Sequence, residues 1–392
     1  MTCSRSLKHD IDDLAALVFP SLRLAVVDDA NTARALGDQV FRALKGRFSD
    51  THITLERSAR ADQETVDHIR RRAGTCDALV AVGSGTVSDL CKYASFLDNK
   101  PYIVFPTAAS MNGYVSANAS ITLEGYKKTL KAHMPKAVCC DLSVIAAAPG
   151  RLGKSGLGDA LARPTAQADW LLSHLLLNTP YNELPFTLLR PLEHALFENA
   201  RGIAMGDRQS IELLLQTLLL SGFGMTIAGG GYPASQGEHM IAHAHHMLFH
   251  SPAGDVITLH GEEIGITTLT MARRQEKRLR GRPSLKPQVF PEEEIASHFG
   301  FVIAHEAKKS YAAKCEIIRQ AGLSNETLAQ KWESVVERIA PLMIPPARIE
   351  AILDAAEAPS SPPALGWPQK SYDTAIAYAG FLRERFTFLD LQ

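Results

Sequence analysis

Five short apolar runs stand out in the first 150 residues, and stretches with helical periodicity separate them. The runs read LRLAVVDD, HITLER, DALVAVGSG, PYIVFPTAAS and AVCCDLSVI, and the stretches between them include NTARALGDQVFRALKG and QETVDHIRRRAG. Strands that are apolar almost throughout are typical of a parallel sheet covered by helices on both faces. The pattern predicts a Rossmann-like α/β domain with a parallel sheet over residues 1–149.

The pattern changes after Pro149, where long Leu- and Ala-rich stretches replace the β-branched runs. Helical spacing is clear in LGDALARPTAQADWLLSHLLL, PLEHALFENARGIAMG, QSIELLLQTLLLSGFGMTIAG and NETLAQKWESVVERIAPLM. The Pro-rich residues 357–369 predict a surface loop before a last helix. Residues 150–392 are therefore predicted to form an all-α C-terminal domain.

Composition is that of an ordinary soluble protein: 46% of the 392 residues are hydrophobic, 21% are charged, and the formal net charge is -1. Nucleic acids and membranes are not expected partners, because general binding to either needs a basic surface. The apolar stretch LLLQTLLLSGFGMTIAG is expected to be a buried core helix. An N-terminus without an apolar signal segment makes the cytoplasm the expected location. The basic segment from Arg273 to Lys286 is interpreted as a solvated helix end, with an anion or partner contact as the alternative.

The run DALVAVGSGTVSDL joins an apolar strand to a helix through Gly83 and Gly85. Glycines let the backbone approach a ligand closely, and the N–H groups at a helix N-terminus attract phosphate. Asp89, in the first turn of that helix, would complement the helix dipole. The run lacks the full dinucleotide fingerprint, so a plain tight turn is an equally open interpretation.

Polar residues also follow two other predicted strands. VVDD ends in Asp28 and Asp29, and PYIVF leads into the loop PTAASMNGYVSAN. Small polar residues at the carboxyl ends of parallel strands line the crevice where nucleotides bind. A carboxylate at Asp29 could accept hydrogen bonds from a ribose 2'-hydroxyl and repel a 2'-phosphate, which favours NAD over NADP. It could equally cap the helix that begins at Asn31, and the loop could be an ordinary connection.

Five histidines fall within QGEHMIAHAHHMLFH, residues 236–250. Helical spacing places His239 beside His243 and groups His243, His246 and His250 in a second stripe. This spacing alone is compatible with metal ligands, a proton relay or polar residues on a helix.

Two further polar residues of the helical region could join this cluster. Asp159 lies in SGLGDALA, and His260 lies in ITLHGEEIG. One carboxylate and two imidazoles from separate helices can bind a divalent cation and leave positions open for substrate. Asp159 could also be a helix N-cap and His260 a polar residue at a helix start, so both interpretations stay open.

The ordered series GSGTVSD, PTAASMNGYVS, SGLGDALA, GEHMIAH, LHGEEIG and RERFTFLDL resembles sn-glycerol-1-phosphate dehydrogenases of the bacterial type. That family is part of the superfamily of iron-type alcohol dehydrogenases, glycerol dehydrogenases and dehydroquinate synthases. The similarity extends over nearly the whole chain. It implies the dehydroquinate synthase-like fold, in which the α/β domain binds the dinucleotide and the all-α domain binds metal and substrate.

The resemblance also implies roles for single residues. Asp159, His239 and His260 match the three metal ligands, and catalytic roles fall to Asp159, His243 and Asn112. The remaining histidines of the stretch match no functional position: His245, His246 and His250. The cofactor contacts match Asp29, Gly85, Thr86, Val87, Ser88, Asp89, Thr107, Ala108, Ala109, Ser110 and Ser116.

At one position the chain departs from the family. Asn112 stands where the family typically has an aspartate that holds the polyol. An amide still bonds a hydroxyl, but it is neutral and cannot accept a proton. The exact substrate therefore stays open. Lys127, Lys128 and Lys131 could meet a substrate phosphate or form a solvated charge cluster.

The resemblance implies a reversible hydride transfer between NAD or NADP and a secondary alcohol or ketone, with dihydroxyacetone phosphate and sn-glycerol 1-phosphate as the family's substrate pair. One divalent cation, zinc, nickel or iron, would polarise the substrate oxygen. A homodimer or larger homo-oligomer is a family expectation. Two alternatives stay open: a dehydroquinate-synthase-like cyclase, whose carboxylate ligand is usually glutamate, and a non-catalytic nucleotide or metal sensor.

Overall fold

A computed structural model describes residues 2–4, 6–7, 10–20, 22–48, 50–57, 59–123, 126–248 and 258–392. The chain divides into two compact units: unit 1 comprises Met1–Leu157 and Pro191–Gly230, and unit 2 comprises Gly158–Arg190 and Gly231–Gln392. These units differ from the predicted ranges 1–149 and 150–392, because residues 150–157 and Pro191–Gly230 are grouped with the strands. The predicted ranges, as a division by function, stay a prediction.

A parallel sheet forms the centre of unit 1. Among the described residues six strands pair in the order β1-β8-β5-β4-β2-β3, and all of these pairs are parallel. The strands are β1 (Thr2–Ser4), β2 (Leu24–Asp29), β3 (Thr51–Leu55), β4 (Ala78–Gly83), β5 (Tyr102–Pro106) and β8 (Ala137–Asp141). The five predicted apolar runs form β2, β3, β4, β5 and β8, so the predicted α/β class is confirmed.

One predicted run was too long. Strand β8 ends at Asp141, whose side chain accepts hydrogen bonds from the backbone N–H groups of Ser143 and Val144. This cap starts a short helix, Leu142–Ala146, in the segment LSVI that the apolar pattern assigns to the strand.

Helices accompany the strands of unit 1, and their apolar faces share a core with them. Val26, Val80 and Ile103 of the sheet pack in one buried cluster with Ile11 and Val40 of the first two helices. The helices within this unit are α1 (Ile11–Val18), α2 (Asp38–Leu44), α3 (Gln63–Arg72), α4 (Gly85–Leu97), α5 (Leu142–Ala146), α8 (Ala200–Ala204) and α9 (Arg208–Ile227). Two helices continue from one unit into the other: α6 (Gly150–Leu177) and α7 (Leu184–Glu198).

An antiparallel hairpin in unit 1 was not predicted. Its strands are β6 (Asn118–Leu123) and β7 (Tyr126–Lys131). The polar, lysine-rich second strand lacks the apolar character of the five predicted runs. Lys131 is exposed and Lys128 is partly buried, whereas the side chain of Lys127 lies outside the described residues. A phosphate contact by these lysines stays a prediction.

Unit 2 is helical. After Asp141 the described residues contain no strand, only an isolated bridge between Leu285 and Leu391, so the predicted all-α character is confirmed. Its helices are α10 (Gly237–Leu248), α11 (His260–Leu279), α12 (Glu292–Phe299), α13 (Phe301–Gln320), α14 (Asn325–Ile339), α15 (Pro346–Ala355) and α16 (Gln369–Tyr378). The basic segment contains the end of α11, as predicted, although Arg274 is partly buried and donates to the backbone oxygens of Phe388 and Leu391.

By length and composition, one helix in the described part of the chain could cross a membrane, and it is α9. Its apolar window is 61% buried inside the protein. That burial is what the sequence predicts for a core helix.

Candidate functional site

Three side chains of unit 2 that can bind a metal ion lie close together. Asp159 lies on α6, His239 in the first turn of α10, and His260 at the first residue of α11. One ligand atom of each lies within 4.8 Å of the others, and Asp159 Oδ1 is 3.8 Å from Nε2 of both histidines. These separations exceed hydrogen-bond lengths and are comparable to those of atoms about 2.0–2.2 Å from a common ion. Asp159 is only 2% exposed, and a carboxylate so buried favours a compensating cation.

The close approach of α6 to α11 depends on glycines. A Cβ added to Gly158 would lie 2.0 Å from the backbone oxygen of Gly261 and 3.4 Å from the Cα of Gly265. Gly158 directly precedes Asp159, and Gly261 directly follows His260. The helix contact that needs Gly158 therefore also brings two of the three candidate ligands together.

A buried carboxylate orients one of the histidines. Glu238 is 0% exposed, and its Oε1 lies 2.9 Å from Nδ1 of His239. In its ionised form the carboxylate only accepts, so Nδ1 carries the proton and the lone pair of His239 is on Nε2, toward Asp159. The backbone N–H of Gln236 and the hydroxyl of Thr165 also donate to Glu238. Burial raises the pKa of Glu238 to about 7.

A second buried carboxylate, Asp169, anchors the start of α10. Its Oδ2 accepts a 2.9 Å hydrogen bond from the backbone N–H of Gly237, and its Oδ1 accepts bonds from α11 and from the C-terminal segment. Burial, and then the nearby Glu238, raise the pKa of Asp169 to about 7. Sequence reasoning missed both carboxylates. The available signal was the position of Glu238 directly before His239.

His243 lies one helical turn after His239 and is 9% exposed. Its ring centroid is 6.0 Å from that of His239 and 6.3 Å from that of His260. Nη2 of Arg383 lies 3.2 Å from Nδ1 of His243. The predicted substrate contact is thus beside the candidate ligands, together with an arginine from RERFTFLDL that was not predicted.

The other histidines of the stretch lie elsewhere. His245 is 1% exposed, its ring centroid is 3.9 Å from that of Trp367, and Nε2 is 3.1 Å from Oγ of Ser371. Burial lowers the pKa of His245 to about 4. His246 is on the surface of α10, and His250 lies outside the described residues. His245 therefore packs in the core, and neither it nor His246 belongs to the cluster.

The predicted cofactor residues begin at the carboxyl ends of two central strands. Strands β2 and β4 are neighbours, but the chain continues from β2 to β3 on one side and from β4 to β5 on the other. In open α/β sheets such a reversal forms the crevice where nucleotides bind. Asp29 ends β2 and Gly83 ends β4, so both lie at this crevice.

Asp29 also has a local structural role. Its Oδ1 accepts hydrogen bonds from the backbone N–H groups of Asn31 at 2.8 Å and Thr32 at 3.0 Å. These bonds fix the turn after β2, but the helical segment begins later than predicted, at Ala33, and its N-cap residue is Thr32 rather than Asp29. The ribose contact stays a prediction. Asp28 is buried, and its Oδ2 lies 2.7 Å from Nε2 of His52.

The glycine turn leads directly into α4, which begins at Gly85. A Cβ on Gly83 would lie 2.6 Å from Cβ of Val87, so the strand and the helix can meet this closely only at a glycine. Gly85 and Thr86 are partly exposed, whereas Val87 and Ser88 are 0% exposed. A cofactor contact by Val87 would use its backbone N–H group, whereas the N–H of Ser88 already donates to the backbone oxygen of Ser84 at 3.0 Å.

Asp89 lies beyond the first turn of α4, contrary to the prediction, and with Ser116 it takes part in a cluster around a buried lysine. Lys92 is 0% exposed, and its Nζ lies 3.0 Å from Asp89 Oδ1 and 3.3 Å from Ser116 Oγ. Lys92 also donates to the backbone oxygens of Gly113 and Asn118. This cluster fixes the loop after β5. A cofactor contact by Asp89 or Ser116 stays a prediction.

The loop after β5 is buried at its start and reaches α9. Thr107, Ala108, Ala109 and Ser110 are 5%, 0%, 2% and 7% exposed, and the backbone N–H of Thr107 donates to Gly83. Asn112, which stands where the family typically has an aspartate, follows in the same loop. Nδ2 of Asn112 lies 3.3 Å from Oγ of Ser221, and a Cβ on Gly222 would lie 2.4 Å from the backbone oxygen of Asn112. This loop therefore packs closely on α9.

Comparison with known proteins finds a matching family and sequence relatives. The iron-containing alcohol dehydrogenase family matches residues 11–149. The glycerol-1-phosphate dehydrogenase (NAD(P)+) of Thermococcus kodakarensis is 35% identical over 269 residues, which are 68% of this chain and 75% of the relative. The enzyme of the same name from Pyrococcus furiosus is 37% identical over 248 residues, 63% of this chain and 70% of the relative.

Solved structures show the fold. The NADH-dependent butanol dehydrogenase A of Thermotoga maritima matches with a TM-score of 0.61 at 14% identity, over 98% of this chain and 89% of that one. The glycerol dehydrogenase of Schizosaccharomyces pombe matches with a TM-score of 0.55 at 18% identity, over 97% of this chain and 91% of that one. The predicted dehydroquinate synthase-like fold is confirmed. With 35% identity over 75% of the Thermococcus kodakarensis relative, the chain belongs to the glycerol-1-phosphate dehydrogenase family.

Proposed function

We propose that this protein catalyses the reversible, NAD(P)-linked interconversion of dihydroxyacetone phosphate and sn-glycerol 1-phosphate. The observation that carries the proposal is the cluster of Asp159, His239 and His260, three ligand atoms within 4.8 Å of one another. The names of the relatives, which are 35% and 37% identical, support the same substrate pair.

Asp159, His239 and His260 would hold one divalent cation. An oxygen and two nitrogen donors suit zinc, nickel and iron alike, and three protein ligands leave positions for a substrate. When bound, the cation supplies Lewis acidity at the substrate oxygen, and the nicotinamide supplies or accepts the hydride.

The protein's own groups prepare this site. Glu238 accepts a hydrogen bond from Nδ1–H of His239 and so keeps the Nε2 lone pair of His239 available. Asp159 contributes a buried negative charge. His243, whose ring is beside both histidines, is the proposed substrate contact. In unit 1, Asn112 is proposed to bond a substrate hydroxyl through its amide.

NAD or NADP would bind in unit 1 at the crevice between the ends of β2 and β4. The start of α4 at Gly85 offers backbone N–H groups to the pyrophosphate, and the loop from Thr107 to Ser110 would lie beside the nicotinamide. We propose a preference for NAD, because the carboxylate of Asp29 ends β2, where it would repel a 2'-phosphate.

An assay with purified protein loaded with zinc, nickel or iron tests the proposal. NADH oxidation should depend on dihydroxyacetone phosphate, NADH should be used at lower concentration than NADPH, and the product should be the sn-1 enantiomer. The enantiomer is identified by its resistance to an sn-glycerol-3-phosphate-specific enzyme. No turnover with any metal, despite bound NADH, would refute the proposal.

A further inference from the structure

Arg383 lies beside the candidate ligands, and no role proposed so far uses it. Its Nη2 is 3.2 Å from Nδ1 of His243. A guanidinium only donates, so Nδ1 of His243 accepts and its proton resides on Nε2. Arg383 and neutral His243 therefore present N–H donors side by side.

The second arginine of RERFTFLDL has a different position. Arg385 donates to the backbone oxygen of Ser235, and its guanidinium lies 4.7 Å from the ring centre of Tyr232. Arg385 thus fixes the C-terminal segment on unit 2. Arg383, two residues earlier, extends to the histidine next to the candidate ligands.

We infer that Arg383 and Nε2–H of His243 form an anion subsite that binds the phosphate of the substrate, an inference that rests on the proposed function. Arginine matches phosphate with charge-assisted, often bidentate hydrogen bonds. The ring of His243 lies 6.0 Å and 6.3 Å from those of the ligand histidines. The proposed subsite therefore lies beside the candidate ligands, and the phosphate of dihydroxyacetone phosphate is joined to the reacting carbon through a single CH2–O link.

The subsite makes Arg383 a determinant of substrate class. It would favour phosphorylated ketones over the same ketones without phosphate. The alternative predicted from sequence is the group of Lys127, Lys128 and Lys131. Of these, Lys131 is exposed on the β6–β7 hairpin, where water would screen a contact with phosphate.

The experiment compares wild type, Arg383→Gln, Arg383→Lys and, as a matched control, Arg273→Gln. Arg273 is an exposed arginine of unit 2 that pairs with Glu350. kcat/KM is measured for dihydroxyacetone phosphate and for dihydroxyacetone with metal-loaded enzyme, and inorganic phosphate binding is measured by calorimetry. Arg383→Gln should lower kcat/KM for the phosphorylated substrate and phosphate affinity by about 10- to 100-fold, as expected for a charge-assisted bond.

Arg383→Gln should lower kcat/KM for dihydroxyacetone phosphate more than kcat/KM for dihydroxyacetone, Arg383→Lys should recover part of the loss, and Arg273→Gln should behave as wild type. Equal losses with both substrates, or unchanged phosphate affinity, would overturn the subsite and leave Arg383 a support for His243. Wild-type protein that binds phosphate through Arg383 but does not turn over dihydroxyacetone phosphate would support the subsite and overturn the proposed function instead.

Discussion

Replacing Glu238 by glutamine should weaken metal binding, because this carboxylate sets the proton position on a candidate ligand. Glu238 is 0% exposed, and its Oε1 is 2.9 Å from Nδ1 of His239. Glutamine keeps the shape but removes the charge, and its NH2 group can donate to Nδ1. That donation would shift the imidazole proton to Nε2, where it competes with the cation.

A carboxylate that orients a metal-binding histidine through a hydrogen bond typically contributes 10- to 100-fold in metal affinity. The expected weakening for Glu238→Gln is therefore about 10- to 100-fold, or roughly 1.4–2.7 kcal/mol. Metal-free protein is titrated with zinc in competition with a chromophoric chelator, and thermal unfolding of the metal-free forms is followed separately.

Asp169→Asn is the matched control. Asp169 is also 0% exposed and also bonds the start of α10, but through the backbone N–H of Gly237 rather than through a histidine. Asp169→Asn should lower thermal stability but leave zinc affinity within about threefold of the wild-type value, because Asp169 does not touch the side chain of a candidate ligand. The proposed orientation of His239 by Glu238 would be refuted if Glu238→Gln bound zinc with wild-type affinity, or if both variants lost zinc affinity equally.

Three further predictions concern the site and its supports. His239→Ala should abolish both metal content and activity, while the surface variant His246→Ala should retain both; equal losses would mean that the wrong histidine is assigned. Gly158→Ala places a Cβ 2.0 Å from a backbone oxygen of α11, so it should lower stability by at least about 1–3 kcal/mol in thermal melts and reduce bound metal. The control is Gly150→Ala in the same helix, because a Cβ at Gly150 would meet no atom within 4 Å. A comparable loss of stability in Gly150→Ala would contradict the close-contact explanation. Asn112→Asp should raise kcat/KM for glycerol 1-phosphate oxidation if the neutral amide limits the reaction, and an unchanged rate would show that it does not.

Local patterns predicted the elements whose character depends on their own residues. The apolar runs that form β2, β4, β5 and β8 are buried almost throughout, so their composition is sufficient to identify them. Strand β3 is at the edge of the sheet, where buried Ile53 and Leu55 alternate with exposed Thr54. The β6–β7 hairpin was missed because its second strand is polar. The end of β8 was missed because a side-chain cap at Asp141, and not hydrophobicity, decides where the helix begins.

The candidate metal cluster could be predicted only through the resemblance. Asp159, His239 and His260 are far apart in sequence, and their spacing carries no local signal. The supporting groups depend on tertiary packing: Glu238 reads as an ordinary helix-start acid, and Arg383 reads as a surface charge. Their positions at His239 and His243 follow from how the helices of unit 2 pack, which periodicity does not specify.

The most direct test of the account is a titration of metal-free protein in which bound metal and NADH oxidation with dihydroxyacetone phosphate are followed together. One divalent ion per chain should bind, and activity should rise in proportion to occupancy in the wild type. Asp159→Ala should show neither binding nor activity. Full activity in metal-free wild type, or in Asp159→Ala, would contradict a reaction that depends on a cation at Asp159, His239 and His260.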